Sequence, residues 1–113
     1  MNTQNSLLYF YGFSLRRSDR ITSLLKILKE QIKLNLEINI VLIHDGVIGT
    51  TIKEKTPELL MELLNLPIQV YAVIQDIRAR GMDPNNLVDN INRIDYNNLV
   101  DLLVDMGKIV SWM

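Results

Sequence analysis

The chain reads as an α/β protein: one three-layer α/β/α domain spanning residues 1–113, built around a mostly parallel sheet of about five strands. Three observations predict this. Short apolar runs rich in β-branched and aromatic residues alternate with stretches of three- and four-residue apolar spacing, which are the periods of strands and helices. One of those runs, Ile38-Asn39-Ile40-Val41-Leu42-Ile43, is apolar on both faces, as a strand in the middle of a parallel sheet must be. Helix start and stop signals also fall between the runs, and alternating strands and helices with right-handed crossovers make a parallel sheet with both faces covered.

Leu7-Leu8-Tyr9-Phe10-Tyr11, closed by Gly12, is the first predicted strand. Ser18 or Asp19 offers an N-cap, after which Ile21, Leu24, Leu25, Leu28 and Ile32 form one helical stripe. Lys26, Lys29, Glu30 and Lys33 fall mostly outside that stripe. The strand at Ile38–Ile43 ends at His44-Asp45-Gly46, a turn in which Gly46 would take positive φ. Thr56-Pro57-Glu58 reads as a helix start, with a capping residue, a proline at the first helical position and an acid in the first turn. Leu59, Leu60, Leu63 and Leu64 supply its apolar face. Ile68–Val73 is a third strand, and Asp76 to Arg80 a short helix stopped by Gly81. Asp83-Pro84-Asn85-Asn86 is a turn or a new helix start. Arg93-Ile94 is a very short fourth strand. Asp95 caps a helix that turns Leu99, Val100, Leu102, Leu103 and Met106 toward the core, Gly107 ends it, and Ile109–Trp112 is the final strand.

Composition narrows the chemistry. Hydrophobic residues make up 48% of the 113 and charged residues 22%, a balance that supports one core. There is no cysteine, so disulfides, thiolate nucleophiles, persulfides on this chain and cysteine-based zinc sites are excluded together. No signal-peptide pattern and no apolar stretch of about 20 residues occurs, so a soluble cytoplasmic protein is expected, with no membrane contact. Charge is uneven. Residues 1–56 hold eight Lys/Arg against five Asp/Glu, and residues 57–113 hold four against eight. That excess, without interleaved aromatics, reads as solvated helix faces and predicts no direct nucleic-acid binding.

Ligands in open α/β sheets bind outside the carboxyl ends of the strands. Gly12-Phe13-Ser14, His44-Asp45-Gly46 and Gln75-Asp76 should meet there. His44, the one histidine, would need an orienting partner and a nearby nucleophile to act as a base, and Asp45 beside it should point the other way. No ligand spacing for a metal, no glycine-rich phosphate loop and no nucleophile elbow is present. Arg78 and Arg80 read as solvent-facing charges on a short helix, with anion or carboxylate binding as the functional alternative. Trp112 either packs into this core or anchors a partner subunit, since exposing a terminal indole to water is costly.

Four segments in order carry a family likeness. Val41-Leu42-Ile43-His44-Asp45-Gly46-Val47, the stretch from Ile68 through Tyr71, Asp76, Ala79, Arg80 and Gly81, then Ile94-Asp95-Tyr96, and the closing Trp112 together resemble the DsrH/TusB family. The likeness covers residues 38–113, whereas Tyr9-Phe10-Tyr11-Gly12-Phe13 departs from the family's usual short start. The resemblance implies a DsrE-like fold and a place in a heterohexamer with DsrE/TusD-like and DsrF/TusC-like subunits. Such complexes relay persulfide sulfur, to 2-thiouridine at the tRNA wobble position or in oxidative sulfur metabolism, from a cysteine on the DsrE/TusD-like subunit. Some DsrH members carry a cysteine and this chain does not, so the resemblance implies a non-catalytic partner. Asp45, Gly46, Asp76, Arg80, Gly81, Asp95 and Tyr96 match the family pattern and are expected to define the fold or an interface; His44 and Trp112 join them as candidates. No catalytic residue, metal or cofactor is expected. The alternative is a homo-oligomeric small-molecule or nucleotide-binding module on the same fold, using the cleft expected beside His44 and Asp45.

Overall fold

The computed structural model describes residues 5–16, 18–53 and 55–113, and the Ser18 side chain, one of the two expected caps, lies outside the described residues. Five strands form one sheet: β1 (Ser6–Tyr11), β2 (Glu37–Leu42), β3 (Gln69–Val73), β4 (Ile91–Ile94) and β5 (Lys108–Trp112). Their order is β4-β3-β2-β1-β5 and every pairing is parallel. The helices are α1 (Ser18–Lys33), α2 (Glu58–Leu64), α3 (Ile74–Ala79) and α4 (Tyr96–Val104). The predicted three-layer α/β/α architecture is the one observed.

Strand alternation decides which helix covers which face. Leu7, Tyr9 and Tyr11 of β1 point to the same side as Ile38, Ile40 and Leu42 of β2 and Val70 and Ala72 of β3. On that side they meet Ile21, Leu24, Leu25 and Leu28 of α1, Leu60 and Leu63 of α2 and Ile77 of α3. Leu8, Val41, Ile43, Val73 and Ile94 face the other way, and there a single helix, α4, covers them with Leu99. Each fully buried Leu or Ile contributes about 1.5–3 kcal/mol, so the side holding α1–α3 carries most of the core.

Three local readings change. α2 begins at Glu58, with Pro57 as its N-cap residue and no side-chain cap bond, so Thr56 does not cap the helix. α3 begins at Ile74, directly off β3, two residues before Asp76. Val100 of α4 faces outward and is 58% exposed, because Leu99, Leu102, Leu103 and Met106 already fill the contact with the sheet. Other signals act as read. Gly81 takes φ 72° after α3, and the Asp95 side chain accepts from the Asn98 N–H at 2.8 Å to cap α4. Asp83 accepts from the Asn85 N–H, settling that segment as a short 3₁₀ turn over Pro84–Asn86.

Candidate functional site at the carboxyl ends of the strands

The carboxyl ends of β1, β2 and β5 are tied together by backbone bonds that continue the sheet: Ile43 N–H donates to Tyr11 O at 3.0 Å, and Gly12 N–H to Trp112 O at 2.8 Å. After β2 the chain enters a tight 3₁₀ turn, His44–Val47. The left-handed residue of this turn is His44, at φ 50°, and not Gly46. Gly46 serves a different purpose. A Cβ there would collide with the Tyr11 carbonyl oxygen, so the turn can lie against β1 only with a glycine at that position.

His44 is held in its unusual backbone conformation from α3. Asp76, 8% exposed, accepts the His44 N–H through Oδ2 at 3.0 Å. An ionised carboxylate makes a stronger acceptor than a neutral group, and being nearly buried it costs free energy to leave unpaired. Arg80, one turn further along, corrects the reading of it as a solvent-facing charge. Its Nε and Nη2 both donate to Asp45 Oδ1, at 3.2 and 3.1 Å, and its Nη1 donates to the Asp76 carbonyl at 3.3 Å. Arg78 is exposed. Asp45, Asp76 and Arg80 thus form one lock between the loop after β2 and the helix after β3. A pair that is only partly shielded, as Arg80 and Asp45 are, contributes about 1 kcal/mol or less.

The His44 imidazole is exposed and lies beside Gly12, whose other neighbour is Met113. It has no side-chain hydrogen-bond partner among the described residues, so it lacks the orienter that base catalysis needs. Among the described residues no group of three His, Asp or Glu could hold a metal ion. A cavity of about 350 Å³ opens at this end of the sheet between the loop after β1 and the segment leading into α2. Leu15, Arg16, Lys55, Thr56, Pro57, Glu58 and Leu59 line it, so it is offset from His44 and Asp45.

Other candidates stand apart from this lock. Gly81 is exposed, with open space around it. Asp95 is a helix cap and Tyr96 is 50% exposed on α4. Trp112 is partly buried and packs on the α1 side of the core. Sequence reasoning missed Tyr11. Its ring is fully buried, edge-on to Phe13 at 5.8 Å, and its hydroxyl has no hydrogen-bond partner among the described residues. Burial, then the Asp19 carboxylate, push its pKa up to about 12, with Arg20 opposing them.

The family model for DsrH like protein matches residues 14–109. The chain belongs to the DsrH family. That match reaches back to residue 14, well before the ordered motifs begin, so the α1 region is DsrH-like too. Curated relatives named Protein TusB, from Salmonella enteritidis PT4 and Salmonella arizonae among others, are 34% identical to this DsrH-like chain over 90 residues, covering 80% of it and 84% of each relative. Two solved structures share the fold. One is a protein of unknown function, MTH1491 from Methanobacterium thermoautotrophicum, and the other is the ychN protein from E. coli. Each has a TM-score of 0.71 and covers 95% of this chain and 98% of its own, at 16% and 18% identity.

Proposed function

We propose that this chain is a non-catalytic subunit of a DsrEFH/TusBCD-like sulfur-relay complex, supporting persulfide transfer toward tRNA wobble 2-thiouridine or within oxidative sulfur metabolism. The observation that carries the reading is membership of the DsrH family in a chain with no cysteine at all. Persulfide transfer needs a thiolate to accept and release sulfane sulfur, so the sulfur-bearing group belongs to a DsrE/TusD-like partner, with a DsrF/TusC-like subunit completing the assembly. The chemistry at the strand ends supports a shaping role. The lock of Asp45, Asp76 and Arg80 satisfies its own charges and fixes a surface, and it presents no activated nucleophile. No helix among the described residues is long and apolar enough to cross a membrane, and cytoplasmic action beside tRNA-modifying enzymes fits this reading.

Affinity purification of the chain from its native source under mild conditions is expected to recover a cysteine-bearing DsrE-like protein. The partner, and not this chain, should take up radiolabelled persulfide sulfur. Recovery of this chain alone, or label on this chain, overturns the proposal.

A further inference from the structure

The cavity between the loop after β1 and the segment leading into α2 lies at the carboxyl edge of the sheet, where open α/β folds take their ligands. Its volume of about 350 Å³ suits a small organic molecule. The buried and exposed parts of its lining differ in character. Leu15, 1% exposed, fixes an apolar floor in the core, and Pro57 and Leu59 extend that floor as half-buried side chains. Pro57 is held from behind. Gly49 passes so close that a Cβ there would stand 2.8 Å from the proline Cγ, and its φ of 96° already favours glycine. The charged members of the lining are Arg16, Lys55 and Glu58, all exposed at the rim.

Backbone groups hold this rim together. The Arg16 N–H donates to the Ser14 hydroxyl at 3.3 Å, and its guanidinium Nη2 makes a long bond of 3.5 Å to the Lys55 carbonyl. One side chain thus joins the loop after β1 to the approach to α2. Thr56, which does not cap α2, adds a hydroxyl-bearing side chain to the same lining. Neither Lys55 nor Glu58 has an ion-pair partner among the described residues, whereas Lys29 and Lys33 on α1 are both paired. A guanidinium fork set beside a second cation is the arrangement that takes an oxyanion. Two cations against one carboxylate leave the lining positive, and a doubly charged phosphate monoester engages both where a carboxylate brings a single charge. The apolar floor favours an organic body, which inorganic phosphate lacks.

We propose that this cavity binds a small organic phosphate monoester, with its phosphoryl oxygens on Arg16 and Lys55 and its apolar body on Leu15, Pro57 and Leu59. Glu58 opposes the bound charge and sets a ceiling on affinity. The site lies apart from the loop of His44 and Asp45. It goes beyond the sulfur-relay reading and does not rest on it, since binding is measured on the purified chain and partner recovery separately.

The test is an NMR titration of the purified, isotope-labelled full chain with phenyl phosphate, inorganic phosphate, benzoate and phenol. Phenyl phosphate should shift the amides of Leu15, Arg16, Lys55 and Leu59 saturably, and bind about tenfold more tightly than inorganic phosphate. Benzoate should bind more weakly than phenyl phosphate and phenol more weakly still. Binding should also weaken at about 1 M salt, where the screening length falls to about 3 Å. R16Q/K55Q should weaken phenyl phosphate about tenfold or more with far-UV circular dichroism unchanged, while K29Q/K33Q should leave it unaltered. Glu58→Gln should tighten binding, by up to about fivefold, because it removes the one like charge in the lining; a damaged fold cannot produce a gain. Shifts that do not saturate, or that fall elsewhere in the chain, overturn the proposal. So does R16Q/K55Q binding like the unmodified chain, phenol or inorganic phosphate matching phenyl phosphate, or Glu58→Gln failing to tighten.

Discussion

Tyr11 carries the least comfortable polar atom in the described structure, a buried hydroxyl without a partner. Its pKa is raised from 10.0 to about 12, so the folded chain holds the phenolic proton more tightly than the unfolded chain. That contribution to stability is complete below pH 10 and is lost as pH climbs through the folded value near 12. Denaturant titrations should therefore show stability falling across that window, and Tyr11→Phe should flatten the fall. At neutral pH the same substitution should be neutral or add up to about 1 kcal/mol, since it removes a desolvated donor and leaves no orphan. A clear loss at neutral pH would mean that the hydroxyl is satisfied. At the end of β2, the backbone bond at His44 and the clasp of Arg80 differ in weight. Asp76→Ala should cost about 1–3 kcal/mol because it strands a shielded N–H, whereas Arg80→Ala should cost about 1 kcal/mol or less; equal losses in thermal denaturation would refute that ranking. Asp45-Gly46 was legible as a turn. Which residue of the turn is left-handed was not, because the need for glycine there arises from the Tyr11 carbonyl, contributed by a strand more than thirty positions away.

Helix α4 shows where periodicity stops informing. In α1, charged residues separate the apolar positions, and Ile21, Leu24, Leu25 and Leu28 are buried as their spacing predicts. In α4 the run Leu99-Val100-Asp101-Leu102-Leu103-Val104 is apolar at five of six positions, so the pattern alone does not choose an inner face. The sheet makes that choice, and Val100 falls outside. The energetic contrast is direct. Leu99→Ala should cost about 2–4 kcal/mol for lost burial and the cavity left behind, while Val104→Ser should change stability by no more than about 0.5 kcal/mol. Comparable losses at both positions in urea titrations of the dilute chain would contradict the assignment of faces. α2 taught a different lesson. Proline next to a capping threonine is a good start signal, yet the helix opens one residue later, because Pro57 itself takes the extended cap conformation.

At the level of the whole molecule, the alternation of strands and helices was enough to give five strands, four helices and a parallel sheet. The strand order was not readable. β1 through β4 are laid down in one direction with α1, α2 and α3 on a single face, and the chain then crosses the other face through α4 to place β5 beside β1. Nothing local to Ile109–Trp112 reports that its partner is Leu8–Tyr11. The same crossing leaves one sheet face under a single helix. Family likeness was legible where turns impose particular residues, at Asp45-Gly46, Asp76, Arg80-Gly81 and Asp95. It was faint near the start, where the strand sequence is set mainly by burial and many apolar residues serve equally.

Parallel pairing of β1 with β5 also puts the start of β1 and the finish of β5 at opposite rims of the sheet. β1 starts at one rim of the sheet, and β5 finishes at the other, with Met113 against Gly12 next to His44. Six residues of strand span about 20 Å, so a circular permutant that led from the finish of β5 back to the start of β1 would need a crossover of a dozen residues or more. A purification handle fused after Met113 therefore emerges over the loops that follow β1 and β2.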